Sequence, residues 1–231
     1  MKASVTIPVR DESANVKPLC AAFARLTSAY DHVGEIIFVD DHSKDSTLEE
    51  IRASSVRLPI LRALQSNQPG KGAAIRHGFR ESRCEILVMM DGDQQYTPLD
   101  IPRLLEPILL GAADLVVGKG GNYHSSTLRK VFSKTYQSIF TRMFRLPISC
   151  PNEGLKAILK TKFNQLDLVA NDFDFDIELL VRAKQQLFRI KEVEVDRRGR
   201  SGGRSKVQVL PTAIRFCVRM VRLWVSQRMW H

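Results

Sequence analysis

The sequence lacks the cysteine patterns that mark disulfide-rich and zinc-binding proteins. Its 231 residues contain four cysteines, and no two of them form a C-x-x-C pair. Scattered cysteines of this kind are typical of reduced thiols in a cytosolic protein. We therefore expect neither a disulfide framework nor a zinc site.

Long uncharged hydrophobic runs are also lacking. No uncharged stretch of about 18 residues is present, so we expect no membrane-spanning helix. The chain opens with Met1-Lys2-Ala3-Ser4 and continues directly into a strand-like run, so we expect no secretory leader. Apolar residues make up 44% of the chain and charged residues 26%, which is typical of a globular domain.

Two common phosphate-binding signatures are missing. Gly70-Lys71-Gly72 precedes a predicted helix, but it is not a G-x-x-x-x-G-K-[ST] loop. It is not the G-x-G-x-x-G dinucleotide fingerprint either, because that pattern would need glycine at Ile75. Glycines before a helix can let the backbone approach an anion. A plain junction between a loop and a helix explains the same residues equally well.

Acidic residues are scarce towards the C-terminus. From Arg182 to His231 the chain has thirteen Lys or Arg residues and three acidic ones, which accounts for the whole formal charge of +10. We expect this segment to face an anionic partner, which could be a phosphorylated substrate, a lipid surface or nucleic acid.

What the sequence does contain is an alternation of apolar runs with helical patterns. The predicted strands are Ala3–Val9, Glu35–Val39, Pro59–Leu64, Glu85–Met90, Ala113–Val117, Leu155–Leu159 and Phe188–Val195. The first predicted helix is capped by Asp11 or Ser13 and ends near Tyr30, and a helix capped by Asp45 follows the second strand. Further helices are predicted at residues 73–83, 98–110, 125–145, 175–186 and 207–231. This alternation predicts an α/β fold, a parallel sheet with helices on both faces. Lys119-Gly120-Gly121-Asn122 is predicted to be a loop.

Asp91 and Asp93 follow the fourth predicted strand. Side chains at positions i and i+2 of an extended chain point the same way, so the two carboxylates can converge on one point. Ligands of open parallel sheets bind outside the carboxyl ends of the strands, and a carboxylate pair suits Mg²⁺ or Mn²⁺. A simple turn is the alternative, because Asp and Gly both favour turns.

Three other polar segments each permit two interpretations. Asp40 and Asp41 could contact a ribose or a base, or could cap the next helix. The segment 200–206 could hold phosphates or be a solvated run of charge, and nucleic acid is not favoured there because aromatic residues are not interleaved. In the segment 207–231, a polar stripe is formed by Arg215, Arg219, Arg222 and Ser226. Such a stripe is typical of a helix in a membrane interface, of a docked terminal helix or of an oligomer contact.

Several ordered motifs together resemble family 2 glycosyltransferases of GT-A fold, the Rossmann-like nucleotide-diphospho-sugar transferase fold. They are Ile7-Pro8-Val9-Arg10-Asp11-Glu12, Asp40-Asp41-His42-Ser43-Lys44-Asp45-Ser46-Thr47, Asn67-Gln68-Pro69-Gly70-Lys71-Gly72-Ala73-Ala74 and Asp91-Gly92-Asp93-Gln94-Gln95. A late motif, Arg200-x-x-Gly203-x-Ser205-Lys206, resembles the dolichyl- or polyprenyl-phosphate sugar synthase branch. The resemblance covers roughly residues 3–210.

The resemblance implies a role for individual residues. The implied nucleotide-sugar contacts are Pro8, Arg10, Glu12, Val39, Asp41, Lys71, Asp91, Gly118 and Lys119. The implied ligands of Mg²⁺ or Mn²⁺ are Asp91, Asp93 and Gln95. The implied acceptor-phosphate residues are Arg129 and Ser133, and Asp93, Arg129, Arg200 and Lys206 are the implied catalytic set.

The chain departs from the family pattern at three places. Arg10-Asp11 stands where Tyr-Asn is frequent, Gly118-Lys119-Gly120 stands in place of Gly-Ser-Arg, and Cys150 replaces an aspartate. Lys119 could substitute for the arginine as a phosphate partner without its fork of donors. These departures concern the acceptor and the sugar more than the donor fold.

The resemblance thus implies a metal-dependent, inverting transfer of a hexose from GDP-mannose or a UDP-hexose to a polyprenyl or dolichyl phosphate. Residues 1–206 would be the catalytic domain and residues 207–231 a peripheral anchor at the cytoplasmic membrane face, with an integral membrane subunit as a further candidate partner. One alternative is a saccharide acceptor, with a general base sought among Asp172–Asp176, although helix capping at Asp174 or Asp176 is the favoured interpretation of that segment. Another is a non-catalytic module that binds membrane or nucleic acid.

Overall fold

The computed structural model describes residues 1–120 and 137–199, in which seven strands form one sheet. The strands are β1 (Ala3–Val9), β2 (Val33–Asp40), β3 (Leu61–Gln65), β4 (Ile86–Met90), β5 (Leu115–Gly120), β6 (Leu155–Leu159) and β7 (Ile190–Val195). Their order across the sheet is β3-β2-β1-β4-β6-β5-β7. The predicted α/β class is confirmed.

The sheet is mostly parallel, with one reversed strand. β1 pairs in parallel with β2 and β4, β2 with β3, and β5 with β7, whereas β6 is antiparallel to both of its neighbours, β4 and β5. The carboxyl ends of β1, β2, β4, β5 and β7 therefore share one edge with the amino end of β6. This edge carries the polar motifs.

Helices cover both faces of the sheet. They are α1 (Ser13–Ala29), α2 (Thr47–Ser55), α3 (Lys71–Glu81), α4 (Ile101–Leu109), α5 with a described part at 137–143, α6 (Lys160–Phe163) and α7 (Phe175–Gln185), and a short 3₁₀ turn at Pro98–Asp100 precedes α4. The predicted helix 125–145 lies largely outside the described residues, as does all of 207–231.

Successive side chains of β4 point to opposite faces of the sheet and belong to different parts of the core. Ile86, Val88 and Met90 pack with residues of α1, α2 and α4, whereas Leu87 and Met89 pack with residues of α3, α5 and α7. All five side chains of β4 are buried. A strand covered on both faces must be apolar throughout, which is why its sequence shows a continuous run.

Three local predictions need correction. Lys119 and Gly120 belong to β5 and pair with Glu194 and Val195 of β7, so the predicted loop does not begin at Lys119. Turn-forming residues are held extended here because a neighbouring strand satisfies their backbone. The helix α1 is preceded by Glu12 without a side-chain cap, because the Asp11 carboxylate instead accepts the Lys44 backbone N–H at 2.7 Å. For α2, Ser46 occupies the cap position, but the Asp45 carboxylate accepts the Thr47 N–H at 3.0 Å.

Candidate active site

The loops that follow β1 and β2 are bonded to each other. The Asp11 N–H donates to the Ser43 hydroxyl and the Glu12 N–H to the Thr47 hydroxyl, both at 2.9 Å. Backbone donors satisfied by side chains of a neighbouring loop fix the relative position of the two segments. Two of the predicted nucleotide-binding loops are thus one rigid wall.

Asp41 connects this wall to the start of α3. Its buried carboxylate accepts the Gly70 N–H at 2.9 Å and lies 3.9 Å from a guanidinium nitrogen of Arg10. Asp41 therefore organises the loops around it and keeps Arg10 at the same edge. Pro8, at the end of β1, is partly exposed, and its carbonyl lies beside Gly92.

Gly70 and Gly72 face protein backbone. A Cβ atom at Gly70 would overlap the Asn171 carbonyl, and one at Gly72 would lie 2.7 Å from the Ala170 carbonyl oxygen. The Ala73 N–H donates to the Asn171 carbonyl at 3.0 Å. Both glycines therefore allow α3 to pack closely against the segment before α7. The approach of this loop to an anion stays a prediction.

Asp91 lies directly beyond β4 and is held close to β6. Its N–H donates to the Gly154 carbonyl at 3.1 Å, and a Cβ atom at position 154 would overlap the Asp91 carboxylate. Burial and the negative charge of Asp93 raise the pKa of Asp91, against the opposing effect of Lys71. Asp93 follows two residues later, beyond the same strand end, and the convergence of the two carboxylates on one point stays a prediction.

Lys71 joins Asp91 to a second carboxylate. Its ammonium nitrogen lies 2.7 Å from Asp91 Oδ1 and 3.5 Å from Asp176 Oδ2. Burial acts to lower the pKa of Lys71, but the charges of Asp91 and Asp176 raise it well above its ordinary value. Lys71 is therefore a permanent cation at the centre of the site.

Asp176 is in turn held by a lysine from the core. Lys156, in the middle of β6, is 1% exposed, and its ammonium nitrogen lies 2.5 Å from Asp176 Oδ1. Burial acts to raise the pKa of Asp176, but Lys156 and Lys71 together hold it below its ordinary value. The four side chains Lys156, Asp176, Lys71 and Asp91 form an alternating chain of charges, which we call the charge chain.

A second polar group lies next to Gly154, whose N–H donates to the Tyr96 hydroxyl at 3.2 Å. The Tyr96 hydroxyl donates to the buried Glu153 carboxylate, and Arg197 lies 3.2 Å from the same carboxylate. Burial, followed by the charge of Glu153, raises the pKa of Tyr96 well above its ordinary value. Arg197 also donates to the Gln95 side-chain oxygen at 3.4 Å, which ties the end of β7 to the segment after Asp93.

The donor set is suited to a hard divalent cation that is shared with a substrate. Within residues 1–120 and 137–199, no group of three or more His, Cys, Asp or Glu side chains is placed to hold a metal ion. Two carboxylates at a partly exposed strand end, with phosphate and water completing the coordination, are the usual arrangement for Mg²⁺. Asp91 and Asp93 fit this requirement, and the role of Gln95 as a third ligand stays a prediction.

Of the other predicted residues, Glu12 is connected to the segment that carries Asp93, whereas Val39 is part of the hydrophobic core. Glu12 accepts the Asn15 amide N–H, and Gln94 donates to Asn15 at 2.6 Å, so Glu12 is linked to the segment that carries Asp93. Val39 is fully buried among Ile37 and Ala74, which does not favour a contact with a base.

The end of β5 lies at the same edge. A Cβ atom at Gly118 would lie 3.1 Å from the Leu155 carbonyl oxygen, so the glycine allows β5 and β6 to approach. The Lys119 ammonium lies 3.9 Å from Glu192, which also accepts the backbone N–H groups of Ser149 and Cys150. Arg129, Ser133, Arg200 and Lys206 lie outside the described residues.

The sequence interpretation missed the charge chain. Asp176 was considered as a general base or a helix cap, and Lys156 and Glu153 were not considered at all. One signal was available: Lys156 interrupts the apolar run of β6, and a lysine is almost never fully buried unless it is paired. Its partner could not be read from the sequence, because Asp176 lies twenty residues further along the chain, in a different element.

The chain is similar in sequence to proteins of one known family. Residues 4–166 match the sequence profile of the family described as "Glycosyl transferase family 2". A "Dolichol-phosphate mannosyltransferase" of Pyrococcus furiosus is 31% identical over 218 residues, which are 90% of this chain and 60% of that protein. A "Dodecaprenyl-phosphate galacturonate synthase" of Rhizobium johnstonii is 30% identical, with 92% of this chain and 63% of that protein aligned.

A solved structure shows the same fold. The glucosyl-3-phosphoglycerate synthase of Mycobacterium tuberculosis, in complex with Mn²⁺, UDP and glucosyl-3-phosphoglycerate, superposes with a TM-score of 0.75 at 21% identity. The alignment covers 97% of this chain and 79% of that one. Among the described helices, none has the length and apolar character needed to cross a bilayer.

Proposed function

Because the chain belongs to glycosyl transferase family 2, we propose that it transfers a hexose from a nucleoside-diphosphate sugar to a polyprenyl or dolichyl phosphate. The transfer is metal-dependent and inverts the anomeric carbon. The observation that carries the proposal is that the loops after β2 and β4 and the start of α3 are joined: the Asp41 carboxylate accepts the Gly70 N–H, and the adjacent Lys71 contacts Asp91 at 2.7 Å.

The acceptor is the better supported half of the reaction. The two relatives named above carry different sugars in their names, mannose and galacturonate, but both names specify a polyprenyl-type phosphate. The chain spans only 60% of the length of the first and 63% of the second, so their complete activities are not carried over to it. The donor therefore stays broad, as GDP-mannose or a UDP-hexose.

The donor site is proposed to lie along the bonded loops. Pro8, Arg10, Glu12 and Asp41 would surround the base and ribose, and Asp91 and Asp93 would bind Mg²⁺ or Mn²⁺ together with the diphosphate. When bound, such an ion neutralises the developing charge on the leaving nucleoside diphosphate. Lys71 adds a fixed positive charge at the same point, which acts without reorganisation during the reaction.

The acceptor chemistry does not require a strong base. A phosphate monoester is already an anion at neutral pH, so the protein has to position it and offset its repulsion from the donor. Arg129, Ser133, Arg200, Lys206 and Lys119 are proposed to do this. Asp176 is paired with two lysines, which argues against a sugar-hydroxyl acceptor that would need this residue as general base.

The basic C-terminal segment is proposed to bring the enzyme to its lipid substrate. Residues 207–231 would lie in the interface at the cytoplasmic face, with arginines towards headgroups, outside a catalytic domain of residues 1–206. An integral membrane subunit is a further candidate partner.

Radiolabelled donors test the proposal. The full chain is incubated with Mg²⁺, undecaprenyl or dolichyl phosphate, and labelled GDP-mannose, UDP-glucose or UDP-galactose in turn. We expect organic-extractable label with one donor, lost in Asp93→Asn and retained in Lys191→Met, which changes an exposed lysine on β7. Label that stays water-soluble with every donor would refute the lipid acceptor.

A further inference from the structure

Lys71 is placed between two carboxylates that have different surroundings. Asp91 is partly exposed at the strand end, with 27% of its side chain accessible, whereas Asp176 is 6% accessible and also contacts Lys156. The shorter contact, 2.7 Å, is to Asp91, and the longer, 3.5 Å, is to Asp176. Lys71 thus neutralises the carboxylate that is the first candidate ligand of a divalent cation.

The two positive charges cannot share Asp91 without cost. A divalent ion at Asp91 and Asp93 would lie within a few ångströms of the Lys71 ammonium, where like charges repel strongly in a partly buried site. Lys71 has only a short distance to move to reach Asp176, since that carboxylate is already 3.5 Å away. The diphosphate of a donor would supply the other counter-charge.

Asp176 is held in place by contacts that do not involve Lys71. Lys156 holds its other oxygen at 2.5 Å, and α7 is fixed against α3 by the close approach of Gly72 to Ala170 and Phe175. The Lys71 ammonium also lies 5.8 Å from the centre of the Phe173 ring. Asp176 is therefore a fixed acceptor beside a side chain that is long enough to move.

We propose that Lys71 holds the cation position at Asp91 in the donor-free protein, and that Asp176, held by Lys156, is the positioning residue that receives the Lys71 ammonium when Mg²⁺ or Mn²⁺ is bound. This inference rests on the proposed function, because it assigns the cation to Asp91 and Asp93. In the exchanged state Lys71 lies between Asp176 and the donor diphosphate. No covalent bond or proton is transferred in the exchange.

A thermodynamic cycle tests the role of Asp176. Mn²⁺ binding without nucleotide is measured by calorimetry on the full chain as wild type, Lys71→Met, the paired variant Lys156→Met/Asp176→Asn, and the triple variant. The pair is replaced together, because removing one partner leaves the other charge buried and uncompensated. The paired replacement also leaves the net charge unchanged.

The expected affinities are specific to the exchange. Lys71→Met should bind Mn²⁺ about tenfold more tightly than wild type, because no ammonium competes for Asp91. The paired variant should bind it more weakly, since Lys71 has lost its alternative partner. In the Lys71→Met background the same paired replacement should change the affinity less than about twofold, because its effect acts through Lys71.

A matched control removes another ion pair, in which the carboxylate is buried and the guanidinium is partly buried. Glu35→Gln/Arg62→Met replaces the pair at 2.9 Å near the amino end of β2, away from the site, and should leave Mn²⁺ affinity unchanged. A second experiment uses only the wild-type protein for the readout, so it does not depend on the folding of the paired variant. In ¹⁵N-lysine NMR, Mg²⁺ should shift the Lys71 Nζ resonance, which is assigned with the help of Lys71→Met. An unchanged resonance would overturn the exchange.

The outcomes separate this inference from the proposed function. Sugar transfer by wild type combined with equal Mn²⁺ affinities in all four proteins would overturn the role of Asp176 and Lys71 and keep the transferase. The expected affinity pattern without transfer to any acceptor would overturn the proposed function and keep the exchange at Asp91. A paired replacement that acts equally in both backgrounds would show that Asp176 is structural only.

Discussion

Removing the positive charge of Lys156 should destabilise the protein substantially. Lys156 is 1% exposed, and its ammonium group contacts the Asp176 carboxylate and the Glu153 carbonyl. Breaking a buried ion pair by removing one partner costs roughly 3–5 kcal/mol, because the remaining charge is left without compensation. In Lys156→Met, however, Asp176 keeps Lys71 at 3.5 Å, so we expect about 2–3 kcal/mol, below that range.

Replacing Asp176, the partner of Lys156, should lower the free energy of unfolding by a larger amount. Asp176→Asn leaves the buried Lys156 ammonium with a backbone carbonyl and a neutral amide, so we expect the full 3–5 kcal/mol or so. Denaturant unfolding of both variants measures the free energies of unfolding, and Lys191→Met, on the exposed side of β7, should stay within about 0.5 kcal/mol of wild type. A loss below about 1 kcal/mol in Lys156→Met, or a smaller loss in Asp176→Asn than in Lys156→Met, would refute the charge chain.

Three further predictions follow from individual contacts. Gly154→Ala should abolish sugar transfer, because the added methyl group overlaps the Asp91 carboxylate; wild-type turnover in a folded variant would contradict this. Gly72→Ala should lower the free energy of unfolding by about 1–3 kcal/mol through overpacking, as measured by denaturant unfolding, and an unchanged value would contradict the close contact. Hydrogen bonds from Arg189 lower the pKa of Asp114, so this carboxylate should stabilise the fold above the unfolded pKa of about 3.9, and the contribution should disappear as pH falls through the lower folded pKa. Asp114→Asn should therefore flatten the pH dependence of unfolding below about pH 5, and an unchanged slope would refute the assignment.

The sequence was sufficient for most of the strands and for the place of the two aspartates. Local patterns carried that information: β4 is a continuous apolar run because both of its faces are covered, and Asp91 begins where that run ends. The i, i+2 spacing of Asp91 and Asp93 is likewise a local property of the extended chain.

Non-local contacts decided what the sequence could not predict. The reversed strand β6 lies between β4 and β5 although it follows both in the chain, and its hydrophobic pattern does not encode direction. The close approach of Gly70 and Gly72 to the backbone of Asn171 and Ala170 involves a distant part of the chain, so the motif alone could not predict it. The partners Lys156 and Asp176 come from different elements, so neither residue could be predicted from the position of the other in the sequence.

Nucleotide binding tests the central claim most directly. GDP and UDP are titrated into wild type and Asp93→Asn by calorimetry, with and without Mn²⁺. The two carboxylates beyond β4 are predicted to make tight binding of one nucleotide dependent on Mn²⁺ in wild type and to lose that dependence in Asp93→Asn. Equal affinities for both nucleotides in both proteins, with or without Mn²⁺, would contradict the account.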